Sequence, residues 1–378
     1  MEKTLGLYIH IPFCEKKCDY CNFVSYCTKD EQKTEYVNNL IREIQIQGAK
    51  YRDYQVDTIF VGGGTPTCLK DGMLLMILQA VYLNFKVWTD AEITVECNPN
   101  SLTVAKLLEL KKAKVNRLSI GLQAYNNKIL KKIGRLHTKK QFDECYKSAR
   151  AIGFDNISVD LILGLPSQKL HDIKRELKHL VKLGVNHISA YGLILEENTK
   201  LYKDVESGKT RLPSEEKSLK MYQYTKKYLQ KHNILRYEVS NFAKSGYESK
   251  HNLKYWQQKE YLGLGVVSSS FVDCKRWKNI DDLKEYSQNI KQNKIAVEDE
   301  EVVDKNSQIE ETIMLGLRTS QGIDLQKFEC DFGFDLLKEK QKQIEDLIND
   351  DFIKIENNKL FCTDKGFELL NQVILQLV

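Results

Sequence analysis

Six short runs rich in β-branched and apolar residues recur down the first half of the chain: Leu5–His10, Val56–Val61, Ile93–Glu96, Arg117–Ile120, Ile157–Ile162 and His187–Leu193. Stretches of helical periodicity separate them, over about 31–50, 71–85, 102–113, 139–152 and 170–183. Strands alternating with helices build βαβ units, and those build a parallel sheet. No other feature narrows the fold so far. The pattern predicts an α/β fold, an open or partial (β/α)6 barrel, with its chemistry on loops beyond the carboxyl ends of the strands.

The prolines mark those loops. There are five in 378 residues, where average usage would give about 19. Pro12, Pro66, Pro99 and Pro166 each follow a strand by a few residues, in IPFC, GGGTP, ECNP and LGLP. Proline stops strands, which explains its presence there but not its scarcity elsewhere. Only Pro213 lies apart.

After residue 200 the rhythm changes. A helical stretch over 214–232 leads to an expected strand at Arg236–Ser240, then a polar loop with aromatics, Ser245 to Tyr261. From about 304 the pattern is three helices and a hairpin, Phe352–Glu356 and Lys359–Cys362 about an Asn357-Asn358 turn. A last helix is expected from Asp364 as its N-cap. The expected domains are a barrel over 1–200, its extension over 201–303, and a winged-helix-like module over 304–378.

Composition excludes several classes. With 42% hydrophobic residues the chain is neither disordered nor fibrous. A dispersed net charge of +5 makes no case for nucleic acid. The longest apolar stretch, Leu74 to Phe85, is too short to span a bilayer, and the start reads straight into a strand, so a cytoplasmic chain is expected. Its ten cysteines are then reduced, and a cluster of them reads as metal ligands.

Cys14, Cys18 and Cys21 form such a cluster, C-x3-C-x2-C, directly after the first strand. Three soft thiolates on one loop can hold three corners of a [4Fe–4S] cubane and leave one iron open. The competing reading is zinc with a fourth ligand from Cys27 or His10, but structural zinc usually pairs two short arms, and no second arm is present. Cys68, Cys97, Cys145, Cys274, Cys330 and Cys362 are scattered and read as ordinary thiols.

The segments around the cysteines carry a resemblance. YIHIPFCEKKCDYCNF, FVGGGTPT, VECNPN, NRLSIGLQAYN, GRLHT, DLILGLP, HISAYGLILEENT, YEVSNFA, HNLKYW and YLGLG occur in one order between about residues 5 and 271. Together they resemble the radical S-adenosylmethionine superfamily, in its coproporphyrinogen-dehydrogenase-like branch, and most closely the heme chaperones of that branch. The resemblance implies that the open iron takes the amino and carboxylate groups of S-adenosylmethionine and that an electron from the cluster can break its sulfonium C–S bond. It implies that Gly62, Gly63, Gly64 and Thr65 contact the methionyl part, that Tyr8 and Tyr20 touch the cofactor, that Glu96 accepts its hydrogen bonds, and that Gln123, Arg135 and Asp160 are polar contacts.

The residues alone say less. A tight βα turn would need about one glycine, and no Gly-Lys-Ser/Thr follows to make a phosphate loop. Asp160 stands in an apolar run, ISVDLILGLP, where a charge needs a partner or a ligand.

Two features separate members of the branch. Where the dehydrogenase carries a further cysteine after the third ligand, this chain has Phe23. His251-Asn252-Leu253-Lys254-Tyr255-Trp256 matches HNxxYW, the pattern associated with heme binding in the chaperones. A neutral imidazole can ligate heme iron and flat aromatics can cover a porphyrin, which assigns His251, Tyr255 and Trp256 to heme. On residues alone, a satisfied histidine between two packing aromatics fits as well. There is one departure: where the family reads LGLGAGAHSF, Val267 replaces a glycine and Ser269 a histidine.

The expected function is a heme chaperone without coproporphyrinogen turnover. It would pass heme to heme-requiring proteins at the inner membrane surface, with a homodimer as its assembly. The alternatives are oxygen-independent coproporphyrinogen III oxidation and a related heme-modifying methyltransferase or heme-opening enzyme.

Overall fold

The computed structural model describes residues 3–378. Six strands, β1 (Thr4–Ile11), β2 (Gln55–Gly63), β3 (Lys86–Cys97), β4 (Arg117–Gln123), β5 (Asn156–Leu163) and β6 (His187–Gly192), lie side by side in chain order, all parallel. Between them the chain returns through α1 (Asp30–Lys50), α2 (Met73–Asn84), α3 (Val104–Lys112), α4 (Asn127–Lys132), α5 (Lys139–Ile152) and α6 (Leu170–Lys182). Helices α7 (Lys200–Glu206) and α8 (Glu215–Gln230) follow β6. This is the predicted partial (β/α)6 barrel.

Period-two alternation sorts the strand side chains. Leu5, Leu7, Ile9 and Ile11 of β1, Ile93 and Val95 of β3, and Leu118, Ile120 and Leu122 of β4 join the helices in one large core. The alternate positions, Tyr8, Glu96, Arg117, Ser119, Asp160, Ser189 and Tyr191, line cavities inside the barrel. The interior is thus a polar chamber rather than a packed core. Local signals agree: α5 opens on a capping box of Thr138 and Gln141 and ends at Gly153 with φ 94°.

The chain beyond β6 completes the same sheet. It contributes β7 (Leu235–Arg236), β8 (Asn241–Ala243), α9 (Lys250–Trp256), β9 (Tyr261–Leu264), β10 (Ser269–Val272), β11 (Lys275–Asn279), α10 (Leu283–Lys291) and β12 (Val297–Val302). Strand β9 lies parallel to β1, and β10, β11 and β12 extend that edge antiparallel. On the other edge β8 and β7 follow β6. Two expectations are corrected. Arg236–Ser240 is not one strand, because the Ser240 N–H donates to the Glu238 carboxylate at 3.2 Å and the chain turns there. Within the supposed loop from Ser245 to Tyr261 lies helix α9, capped by Ser249.

Glu43 on α1 fixes the turn after β9. Its buried carboxylate accepts from the Gly265 N–H at 2.7 Å, Asn279 Nδ2 at 2.7 Å and Tyr286 OH at 2.6 Å. In this turn Val267 has φ 61°, a left-handed conformation that a β-branched residue adopts only under strain. Ser269 is exposed on β10 and pairs with Lys278.

The C-terminal segment has its own core. It runs α11 (Lys305–Gly316), β13 (Ile323–Asp324), α12 (Leu325–Phe332), α13 (Leu336–Glu339), α14 (Gln341–Asn349), β14 (Ile353–Glu356), β15 (Lys359–Cys362), α15 (Asp364–Glu368) and α16 (Leu370–Leu377), with sheet order β13-β15-β14. This is the expected winged-helix-like layout. Asn357 and Asn358 take φ of 49° and 61°, as a two-residue hairpin turn requires. The N-cap of the next helix is Thr363, not Asp364.

Candidate functional site

The cysteine loop is closed at its neck. The Cys14 N–H donates to Tyr26 O at 3.1 Å and the Tyr26 N–H to Pro12 O at 2.7 Å. Its far side is tied down through Asp19, whose N–H donates to Ile133 O at 3.0 Å and whose carbonyl accepts from the Leu201 N–H at 2.7 Å. Between these ties Cys14, Cys18 and Cys21 line one cavity of about 650 Å³ at the carboxyl ends of the strands. Burial raises the Cys14 and Cys21 thiols, and the other cysteines of the loop add to it. Arg135 answers that charge, with Nη1 3.7 Å from Cys18 Sγ. Cys27 is exposed, and His10 is committed to the Tyr8 hydroxyl through Nδ1 at 3.0 Å. All ten cysteines are free.

The glycine loop needs all three glycines. A Cβ on Gly62 would stand 2.9 Å from the Glu96 carboxyl carbon, one on Gly63 would enter the His10 ring, and one on Gly64 would stand 2.6 Å from Phe13 O. Gly63 also has φ 107°. The result is bare backbone facing the cavity beside Thr65, whose Oγ1 is 3.5 Å from Cys14 Sγ. The Gly63 N–H donates to Glu96 Oε2 at 3.1 Å.

Opposite stand two carboxyl groups. Burial, and after it the charge of Asp160, pushes Glu96 up to about 8, against the pull of the Gly63 N–H. Burial also raises Asp160, although Ser119 Oγ donates to it at 3.1 Å. Gln123 shares this wall with φ 66°, at a bulge of β4. Strain in a residue facing a cavity is a mark of function. Arg135 Nη2 donates to Gly121 O at 2.7 Å, and a Cβ on Gly121 would crowd both Gln123 and Arg135. Tyr20 is half-buried on the same cavity. Tyr8 faces a smaller chamber of about 200 Å³ beneath it, which shares Glu96, Ser119, Asp160 and Tyr191 with the larger one.

Helix α9 floors that chamber with Asn252 and Tyr255. His251 has no exposed surface. Its Nδ1 meets Thr58 Oγ1 at 2.9 Å and its Nε2 meets the Tyr255 hydroxyl at 2.8 Å. Burial holds the ring neutral, down to about 3. Lys254 Nζ lies 2.9 Å from Asp57 Oδ1. The helix is docked by Glu92 of β3, which accepts from the backbone N–H groups of Lys250 and His251 at 3.0 Å each. Tyr255 stays with the chamber and Trp256 is half-buried. The predicted heme residues therefore stand apart from the cysteines, at the opposite end of the barrel interior.

Sequence reasoning missed Arg117, Ser119, Ser189, Tyr191 and Glu92. The signal was available for some: Arg117, Ser119, Gly121 and Gln123 follow one another at period two on a strand whose other face is apolar.

The residues present fit a cluster and S-adenosylmethionine. Three thiols and a guanidinium meet at one end of the cavity. Two desolvated carboxyl groups stand at the other end, Asp160 with the charge of Arg117 nearby and Glu96 with only the Gly63 N–H, and the ammonium and sulfonium of that cofactor would add the positive charge that Glu96 lacks.

The radical SAM superfamily model matches residues 8–189, and the HemN C-terminal domain model matches residues 303–369. The chain is similar to the heme chaperone HemW of Lactococcus lactis, 38% identical over 373 residues that cover 99% of this chain and 97% of that protein. It is likewise similar to the heme chaperone HemW of Bacillus subtilis, 37% identical over 367 residues, 97% of each. Its fold overlays that of coproporphyrinogen III oxidase (HemN) from Escherichia coli with a TM-score of 0.86 at 24% identity, covering 100% of this chain and 90% of that one. No helix among the described residues is long and apolar enough to cross a membrane.

Proposed function

This chain belongs to the radical SAM superfamily and, within it, to the HemW family, and from that membership we propose that it binds heme and delivers it to heme-requiring proteins. The observation that carries the reading is the end-to-end similarity to two proteins named as heme chaperones. The finer parts of the reading are acceptors at the inner membrane surface and a homodimer as the delivering form.

The [4Fe–4S] cluster and S-adenosylmethionine implied by the superfamily supply an open iron and an electron source beside a sulfonium. The chain's own residues would do the rest. Cys14, Cys18 and Cys21 would hold the cluster, and Arg135 would balance its charge. The bare backbone of Gly63 and Gly64 would let the methionyl part approach. Glu96, oriented by the Gly63 N–H, would take the cationic end together with Asp160, and Gln123, Tyr20 and Tyr8 would close around the remainder.

Heme binding is assigned to His251, Tyr255 and Trp256. A neutral imidazole is the form that ligates iron, and burial keeps His251 neutral. In the docked helix His251 has no exposed surface, and its two ring nitrogens are taken up by Thr58 Oγ1 and the Tyr255 hydroxyl. Helix α9 must therefore leave its dock before the ring can reach an iron, and the docked helix is the heme-closed state.

The test uses anaerobically reconstituted protein. Wild type should bind heme stoichiometrically, His251→Ala should not, and neither should convert coproporphyrinogen III given S-adenosylmethionine and reductant. Turnover to protoporphyrinogen would sink the chaperone reading in favour of the oxidase, which the whole-chain overlay on HemN keeps as the second reading. Phe23, exposed on the cluster loop where the resemblance puts a cysteine in the dehydrogenase, supports the carrier.

A further inference from the structure

A third cavity, of about 680 Å³, lies outside the barrel between α4, α5 and α6. It shares no lining residue with either chamber inside. Five of the side chains around it are cations: Lys128, Lys139, Arg175, Lys178 and Lys182. Among the described residues none of the five makes an ion pair. The pairs of these helices are made by other residues, Lys140 with Glu144, Arg150 with Asp155 and His179 with Asp143. Asp172 also lines the cavity, but its carboxylate is spent on Asn126 Nδ2 at 3.0 Å and on the Lys169 N–H at 2.9 Å.

This placement of charge is unfavourable while the cavity is empty. Arg175, Lys178 and Lys182 stand three and four residues apart, so they repel one another along one face of α6. Lys139 is the first residue of α5, where the positive end of the helix dipole disfavours a cation. The walls are nevertheless held in place. Asn127 Oδ1 accepts from the Lys139 N–H at 2.9 Å and so joins the starts of α4 and α5. The rings of Tyr125 and His179 stack with centroids 4.1 Å apart. Asp143 fixes both, accepting from the Tyr125 hydroxyl at 2.6 Å and meeting His179 Nε2 at 2.7 Å.

Five unspent cations around one fixed concavity call for a compact ligand of several negative charges. The cavity volume falls in the range of small-molecule sites, about 300–1,000 Å³. A chain of phosphates concentrates charge best in that space, since a terminal phosphate alone carries close to about two negative charges at neutral pH. A peptide of the same volume carries fewer. Arg175 can fork onto two phosphate oxygens, and the lysines serve as point charges around them.

We propose that this cavity binds a soluble triphosphate chain, free or as a nucleoside ester, between Arg175, Lys178 and Lys182 on one wall and Lys128 and Lys139 on the other. The inference rests neither on the heme reading nor on the cofactor cavity.

The experiment is calorimetric titration of the reconstituted protein, saturated with S-adenosylmethionine so that the barrel cavity is filled. Sodium tripolyphosphate is the probe in one arm and ATP in the other. One equivalent should bind; tighter binding of ATP assigns the ester, and equal or weaker binding assigns the free chain. Arg175→Gln combined with Lys178→Gln should weaken binding by about 10- to 100-fold. Both side chains are exposed, so the fold should survive their loss. Lys305→Gln combined with Lys342→Gln removes the same charge from the C-terminal segment and should leave binding unchanged. Three results overturn the proposal: neither probe binds, the C-terminal pair of substitutions weakens binding as much as the Arg175 pair, or a polyglutamate peptide or phosphatidylglycerol vesicles displace tripolyphosphate at lower concentration than ATP does. The displacement arms need only wild-type protein and decide the matter even if a variant fails to fold.

Discussion

If heme reaches His251 only when α9 undocks, then weakening the dock should tighten heme binding. An apparent dissociation constant is the intrinsic one divided by the fraction of molecules in the competent state, so every loss of docking free energy is returned as affinity. Glu92→Gln is the sharpest perturbation. Glu92 accepts two backbone N–H bonds at 3.0 Å from the first turn of α9. The amide keeps the shape but loses the charge facing the helix terminus and one acceptor. Such a loss is worth about 1–2 kcal/mol, or about 5- to 30-fold in heme affinity at 1.4 kcal/mol per decade.

Gly6→Ala attacks the same dock from β1. Its Cβ would stand 2.9 Å from Lys254 Cδ and 3.3 Å from His251 Cε1. Lys254 is flexible, so the penalty sits at the low end of overpacking, about 1 kcal/mol, and the gain is about fivefold. The assay is heme titration at the Soret band, with thermal unfolding to show that each variant is folded. The gain must vanish when His251→Ala is added. If both folded variants bind heme no more tightly than wild type, undocking of α9 is not the route to the histidine.

Three further outcomes follow from the buried carboxyl groups and the cysteine loop. Because burial holds Glu96 protonated up to about 8, a cation binding beside it gains as the carboxyl ionises; S-adenosylmethionine affinity measured by calorimetry should rise by up to about tenfold per unit between pH 6.5 and 8, and Glu96→Gln should flatten the profile. Glu43, raised by burial from 4.5 to about 7, binds its proton more tightly folded than unfolded. Its contribution of about 3 kcal/mol is present in full below pH 4.5 and lost as pH rises through about 7. Urea midpoints of wild type should therefore fall from pH 5 to 8 relative to Glu43→Gln, and parallel curves would refute the linkage. Alanine at Cys14, Cys18 or Cys21 should remove the iron and the absorbance near about 400 nm; an equimolar zinc content in its place would restore the zinc reading.

The sequence disclosed most of the barrel because each of its first six strands is a short β-branched run bounded by a loop with its own punctuation. Pro12, Pro66, Pro99 and Pro166 do stand just past the strands, beside the cavity that the cysteines, Glu96 and Asp160 share. Local chemistry sufficed there. It failed where the determinant is distant in the chain. Helix α9 has seven residues, too few for periodicity to reveal, and its N-terminus is held by Glu92. Strand β9 has four residues and takes its identity from β1. Arg117 reads as the polar start of a strand, and only the assembled chamber shows that its charge faces Asp160. Ser269, where the family has a histidine, is exposed on β10 and lines neither cavity. The cost of the same departure lies at Val267, in its backbone.

The pairing of β9 with β1 sets a timetable for biosynthesis. Gly6 leaves the ribosome about 255 residues ahead of its partner Tyr261. Until then the leading strand has β2 on one side and an open edge on the other, the kind of surface that recruits wrong partners. Helix α9 is made immediately before β9, so the strand that completes the sheet and the plug that seals its floor are delivered together. A nascent chain stalled short of residue 250 would hold a barrel open at both ends, with the cysteine loop already synthesised and its ligand-binding wall already in solvent.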